Sequence, residues 1–176
     1  MKTLTDQLAQ YASYHRDHRN IVTHFIGIPL IVLSIGTLLA RPSLLSLDLP
    51  SLLGQGGALD VTPALILSIL AGMFYFRLDL RYGAVMALWL GASYDLGWQI
   101  AQADTTVWLS SGIGLFVVGW VAQFVGHFYE GRKPAFVDDL IGLLIGPLFL
   151  VAEASFYLGL RREVLAAVQA RVGGTH

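Results

Sequence analysis

The chain has 176 residues, 55% hydrophobic and 13% charged, with a formal net charge of −1 and no cysteine. The missing cysteine excludes disulfides, thiolate nucleophiles, iron–sulfur clusters and cysteine-held zinc, so any metal must be held by histidine and carboxylate. The near-neutral balance leaves no basic footprint for nucleic acid.

A soluble domain carries about a quarter charged residues, and here the charge is missing in blocks. Residues 21–40, 61–76, 82–94, 105–129 and 140–152 contain no Asp, Glu, Lys or Arg. Bilayer cores demand roughly 17–25 mostly apolar residues per helical span. The chain therefore reads as polytopic.

In chain order, residues 2–19 predict an interfacial helix, with Leu4, Leu8 and Tyr11 at i, i+4, i+7 spacing. Asn20 is the expected N-cap of a first span from Ile21 to Ala40, kinked at Pro29. The charged segment ahead of this span argues against a cleavable signal peptide. Arg41–Asp60 reads as an extramembrane loop with a short dipping helix. A second span is expected over Val61–Phe76, a charged turn at Arg77–Arg81, a third span over Tyr82–Ile100 and a fourth over Thr105–Tyr129. After the loop Glu130–Asp139, the apolar stretch Leu140–Leu160 is expected to break at Gly146-Pro147. Gly112, Gly114 and Gly119 read as close helix packing.

Cytoplasmic loops favour Lys and Arg. With the N-terminus inside, Lys2, Arg16, Arg19, Arg77, Arg81, Arg132 and Lys133 all face the cytoplasm and only Arg41 faces away. A hairpin at the last stretch returns Arg161, Arg162 and Arg171 to the same side. The expectation is one domain over residues 1–176: an all-α integral membrane protein with about four transmembrane helices, an N-terminal interfacial helix and a C-terminal re-entrant helical hairpin. Both termini would be cytoplasmic, in the inner membrane if the source is bacterial. Five plain spans are the alternative.

This topology places His24, one turn into the first span, and His127, one turn before the end of the fourth, at one membrane depth beside His15. His15 and His24 are nine residues apart and fall on opposite faces of a continuous helix. They can share a site only if the chain bends between them, which a break at Asn20 would supply. Gln123, His127 and Glu130 share a face at i, i+4, i+7. Neutral imidazoles with open positions suit iron(II) or zinc, and Glu130, Asp17, Asn20 and Gln123 are candidates to orient the rings. A lone intramembrane histidine is more often interhelical glue; three at one depth point to a metal. His18 reads as an exposed interfacial residue. Asp95 reads as a packing or lumen-facing acid, and Glu153 as a second carboxylate within reach of the centre if the hairpin re-enters.

Tyr11, Tyr14-His15-Arg16, Asn20, His24 and Gly27-Ile28-Pro29 resemble the first signature of the Mpo1-like family of 2-hydroxy fatty acid dioxygenases. Trp120, Gln123-Phe124, Gly126-His127, Glu130-Gly131 and Pro134-Ala135 resemble its second, and Gly146-Pro147-Leu148-Phe149 a weaker third. The resemblance implies a membrane-embedded, iron(II)-dependent enzyme that shortens a 2-hydroxy fatty acid by one carbon using dioxygen. It implies His15, His24 and His127 as metal ligands; Glu130, expected at the same depth, is counted with them in the catalytic group. Arg16, Asn20, Gln123, Arg132 and Lys133 are then the substrate-side candidates, an Arg being best suited to a carboxylate, with the acyl tail among the spans and membrane lipids around it. A zinc-dependent membrane lipid hydrolase and a non-enzymatic membrane scaffold are the competing classes.

Overall fold

The computed structural model describes residues 2–49 and 57–173. These contain seven α-helices: α1 (Leu4–Ala12), α2 (His18–Leu39), α3 (Pro63–Leu78), α4 (Leu80–Ala101), α5 (Thr105–Glu130), α6 (Gly142–Tyr157) and α7 (Arg162–Val172). Two short strands, β1 (Leu45–Leu49) and β2 (Gly57–Val61), pair antiparallel with Leu45 opposite Val61. The dipping helix expected within Arg41–Asp60 is therefore replaced by strands where the chain is described; residues 50–56 lie outside the described set. The alternation Leu-Ser-Leu-Asp-Leu is a period-of-two pattern, which a strand uses and a helix does not.

Two helices, α2 and α5, are long and apolar enough to cross a membrane, and α6 with α7 would make a third if that bent pair counts as one span. The other two expected spans correspond to α3, with 16 residues, and to α4, whose C-terminal half carries Ser93, Asp95 and Gln99. Large apolar side chains cover the outer faces; Leu88 is 76% exposed and Phe128 83%. Contiguous apolar surface on this scale fits contact with lipid or another apolar partner, not water.

The first helix ends earlier than expected, at Ala12. Thr3 and Asp6 form a capping box at its start, and its buried face, including Leu8 and Tyr11, packs on α6 and α7. The cap of α2 is Asp17, whose carboxylate accepts from the Arg19 amide at 2.8 Å. Asn20 lies inside the first turn, so the expected cap is off by three positions. The bend between His15 and His24 does exist, at Ser13–Asp17.

Helices α2 and α5 meet along a glycine seam. Gly112, Gly119 and Gly126 recur every seven residues, close to two full turns, and so share one face. A Cβ on Gly119 would stand 2.7 Å from Ile31 Cγ1 and 2.9 Å from the Gly27 carbonyl. One on Gly112 would meet Leu38, and one on Gly126 would meet Thr23 Oγ1 and Asn20 Oδ1. Gly114, by contrast, faces open space. It plays no part in the close packing expected of it.

The chain does not break at Gly146-Pro147; α6 runs through it. Pro147 lies near the helix start, and in the same turn the Tyr75 hydroxyl donates to the Leu144 carbonyl at 2.7 Å. The bend, of 114°, lies between α6 and α7. There Arg161 adopts the left-handed region at φ 50°, a conformation that costs a non-glycine residue about 1 kcal/mol or more. Its guanidinium makes two bonds to the Asp79 carboxylate, at 2.9 and 2.8 Å, and lies over the Tyr82 ring. Asp79 in turn caps α4 through the Arg81 and Tyr82 amides. Farther along α7, Arg171 approaches Asp6 at 3.4 Å, so α7 bridges the Asp79 junction and α1.

The Arg161 guanidinium holds the Asp79 carboxyl below its ordinary value. A carboxyl depressed in the folded state contributes stability above its unfolded pKa of about 3.9, and loses it as pH falls through the folded value. Asp79→Asn should therefore cost about 1–3 kcal/mol near neutral pH, a penalty that shrinks in acid below the carboxylate range. Thermal unfolding in detergent as a function of pH checks this, and an Asn variant as stable as the parent at neutral pH would refute it.

Candidate metal centre

The bend at Ser13–Asp17 aims His15 back at the first turns of α2. His15 and His24 are almost completely buried, at 0% and 1% exposure, and His127 is 6% exposed. The Tyr11 ring stacks on His15 at 4.1 Å with planes 7° apart, and Phe149 tilts against both rings. Centroids of the three imidazoles lie 4.5–5.0 Å apart. One ligand atom from each of His15, His24 and His127 lies within 4.8 Å of the other two.

Hydrogen bonding fixes two of the tautomers. His15 Nδ1 is 2.8 Å from the Tyr11 carbonyl, and His24 Nδ1 is 2.8 Å from the Asn20 carbonyl. Carbonyl oxygens only accept, so each Nδ1 donates its hydrogen, and each neutral ring presents a lone pair at Nε2. Those two Nε2 atoms stand 3.1 Å apart. Two acceptors at that range repel unless a proton or a cation lies between them. Burial pushes the His15 imidazole down to about 3, which disfavours the proton. Nitrogens bound to one ion at about 2.1 Å lie roughly 3.0–3.4 Å from each other, so the observed spacing fits a shared metal. His127 Nδ1 is buried with no hydrogen-bond partner among the described residues. The donor set could thus hold a divalent ion of the kind imidazole favours.

Glu130 does not join this cluster. Its carboxylate accepts from the amides of Arg16, at 3.0 Å from each oxygen, and Asp17, at 2.9 Å, and from Asn20 Nδ2 at 2.9 Å. It ties the end of α5 to the bend that carries His15. Asn20 passes the tie on, through its side chain to Glu130 and its carbonyl to His24. Gln123 is buried, with Nε2 lacking a partner, directly against Gly27. Glu153 is buried in α6 but is not in the histidine cluster. Asp95 accepts from Gln99 in its own helix, and His18 is exposed. His176 lies outside the described residues.

The cationic candidates lie around the site with differing commitments. Arg16 donates to the Val172 carbonyl at 2.8 Å, and Lys133 is ion-paired with Asp138. Arg132 gives one N–H to the Ser13 carbonyl at 3.0 Å. An apolar cavity of about 300 Å³ opens beside the rings, with His24, His127, Gln123, Trp120 and Ile28 in its wall. The stacking role of Tyr11 was not anticipated, although its i, i+4 spacing from His15 was visible. Nor were Gly27 and Gly126 singled out as spacers; the seven-residue glycine interval was the available signal.

If Glu130 works by holding the bend, Glu130→Ala should lower metal affinity by about 10–100-fold, while Glu130→Gln, which keeps an acceptor for the amides, should lose much less. Isothermal titration of the metal-free variants reads this directly; parent-like affinity in Glu130→Ala would remove the positioning role.

Comparison with known proteins shows the family to which the chain is similar. A family model described as 2-hydroxy-palmitic acid dioxygenase Mpo1-like matches residues 1–158. The chain is 31% identical over 170 residues to the 2-hydroxy-palmitic acid dioxygenase MPO1 of Saccharomyces cerevisiae, covering 94% of this chain and 87% of that protein. No solved structure matches.

Proposed function

The chain belongs to the Mpo1-like family, and we propose that it is a membrane-embedded, iron(II)-dependent dioxygenase that converts 2-hydroxy fatty acids to fatty acids one carbon shorter. Both termini would lie on the cytoplasmic side, with α3 and α4 completing four spans. The observation that carries the chemistry is the pair of facing Nε2 lone pairs, 3.1 Å apart and joined by His127, in a chain with a named dioxygenase as relative.

The reaction balances without an added reductant. One 2-hydroxy acid and one dioxygen give the shorter acid, carbon dioxide and water; the substrate loses four electrons and dioxygen gains them. Iron(II), when bound, would supply the redox chemistry.

The protein's own residues do the rest. His15, His24 and His127 would hold the ion. The Tyr11 and Asn20 carbonyls keep two rings in the tautomer that binds metal. Glu130 keeps the bend closed, and Tyr11 and Phe149 exclude water from the His15 face. Arg132, which gives one bond to the Ser13 carbonyl, would be the cation to pair with the substrate carboxylate, since Lys133 already pairs with Asp138. Gln123, in the cavity wall, would help orient the head group, whereas Asn20 is packed against Gly126 outside that wall.

Protein purified without oxygen should carry one iron per chain and consume one dioxygen per 2-hydroxypalmitate. His24→Ala or His127→Ala should lose both the iron and the turnover while keeping the helical spectrum. Stoichiometric zinc with no oxygen uptake would replace this reading with a hydrolase.

A further inference from the structure

Beside the histidines lies the cavity of about 300 Å³ already described; a second, of about 340 Å³, lies between α2, α3, α4 and α6. Val32, Ile35, Leu143 and Pro147 appear in the walls of both. The second cavity is lined by Ala64, Leu67, Ser68, Ala71, Leu90 and Tyr94 among others, with no charged side chain. Because α3 is antiparallel to α4, with Ala64 near Ala101 and Ala40, this chamber leads away from the histidines toward the opposite end of the bundle.

We propose that the two chambers form one acyl-chain path: the head-group end beside His24 and His127, a neck at Val32, Ile35, Leu143 and Pro147, and a distal chamber that sets the longest tail accepted. This rests on the 2-hydroxy acid reading above. The lengths agree. From His24 to Ile35 the path follows α2 for eleven residues, about 16 Å at 1.5 Å per residue. One leaflet of a bilayer core, the depth of a single acyl tail, is about 15 Å. A tail that fills the first chamber therefore reaches the neck, and longer tails must pass it. Burying each methylene beyond it is favourable, so the distal chamber rewards long chains and its floor rejects longer ones.

The test uses the full chain in lipid nanodiscs and 2-hydroxypalmitate carrying a diazirine either near the head or at the tail terminus. After photolysis, mass spectrometry should find the head-proximal probe on Ile28 or Trp120 and the terminal probe on Ser68 or Ala71. Labelling by the terminal probe of the outward-facing Leu88, Val118 or Val121 in place of the distal chamber would overturn the path. In parallel, Ser68→Phe and Ala71→Phe should each lower the ratio of kcat/KM for 2-hydroxypalmitate over 2-hydroxyoctanoate by about tenfold; a parent-like ratio in both would also overturn it. Should either variant fail to fold, photolabelling of the parent decides alone. Distal labelling without oxygen uptake would refute the proposed reaction and still support the path.

Discussion

How near the backbones of α2 and α5 come decides everything else at the site. An imidazole reaches only a few ångströms from its Cα, whereas helices packed through ordinary side chains keep their axes 8–10 Å apart. Three glycines on one face of α5 remove that layer over the whole contact. Where Gly119 meets Gly27, an added Cβ would stand 2.9 Å from a carbonyl oxygen, so no larger residue fits without prising the helices apart. The last of the three, Gly126, is the chain neighbour of His127 and presses on Asn20 and Thr23. The seam thus ends where the histidines begin, and close approach delivers His127 to His24. In an apolar solvent such contacts contribute dispersion that lipid tails would otherwise supply, which makes the fit of the seam more important than its hydrophobicity.

The meeting of His24 and His127 was legible in the sequence because it follows from topology. Charge-free blocks locate the helix ends, and the Lys and Arg distribution puts those ends on one side. What the sequence could not decide was the position of the two bends. Asp17 and Asn20 are both good helix caps, and nothing local ranks them. The choice is made by Glu130, more than a hundred residues away, whose carboxylate takes the Arg16 and Asp17 amides and so favours a bend there. The second bend was expected at Gly146-Pro147, where local propensity is poorest, and is found at Arg161, where a strained backbone is held by an ion pair to Asp79. In both places a long-range charged contact overrules a local signal. The β1–β2 pairing differs in kind: its alternating pattern is local, but the Pro-, Ser- and Gly-rich composition around it reads as loop.

The position of the centre suits an amphiphile. The histidines sit where α1, the Glu130–Asp139 loop and α7 converge, and these elements carry nine of the chain's 23 charged residues. The cavity leading from them is apolar. A substrate with an ionic head and a long tail can satisfy both regions at once, whereas a small polar substrate would leave the cavity unused.

The role of Glu130 bears on that match. Many imidazole-bound metals complete their set with a carboxylate, which lowers the charge at the centre. Here the nearby carboxylate is spent on backbone amides at the start of α2, where the helix dipole also favours negative charge. Under the proposed function, three neutral donors would leave a divalent ion's charge uncompensated inside a buried, low-dielectric site. Burying that charge is costly, and an anion arriving with the substrate relieves the cost. The carboxylate that the reaction later removes would thus be the one that completes the donor set. A neutral 2-hydroxy ester or amide would gain the same tail contacts without that electrostatic contribution, so under that function discrimination for the free acid would follow from where Glu130 is bound.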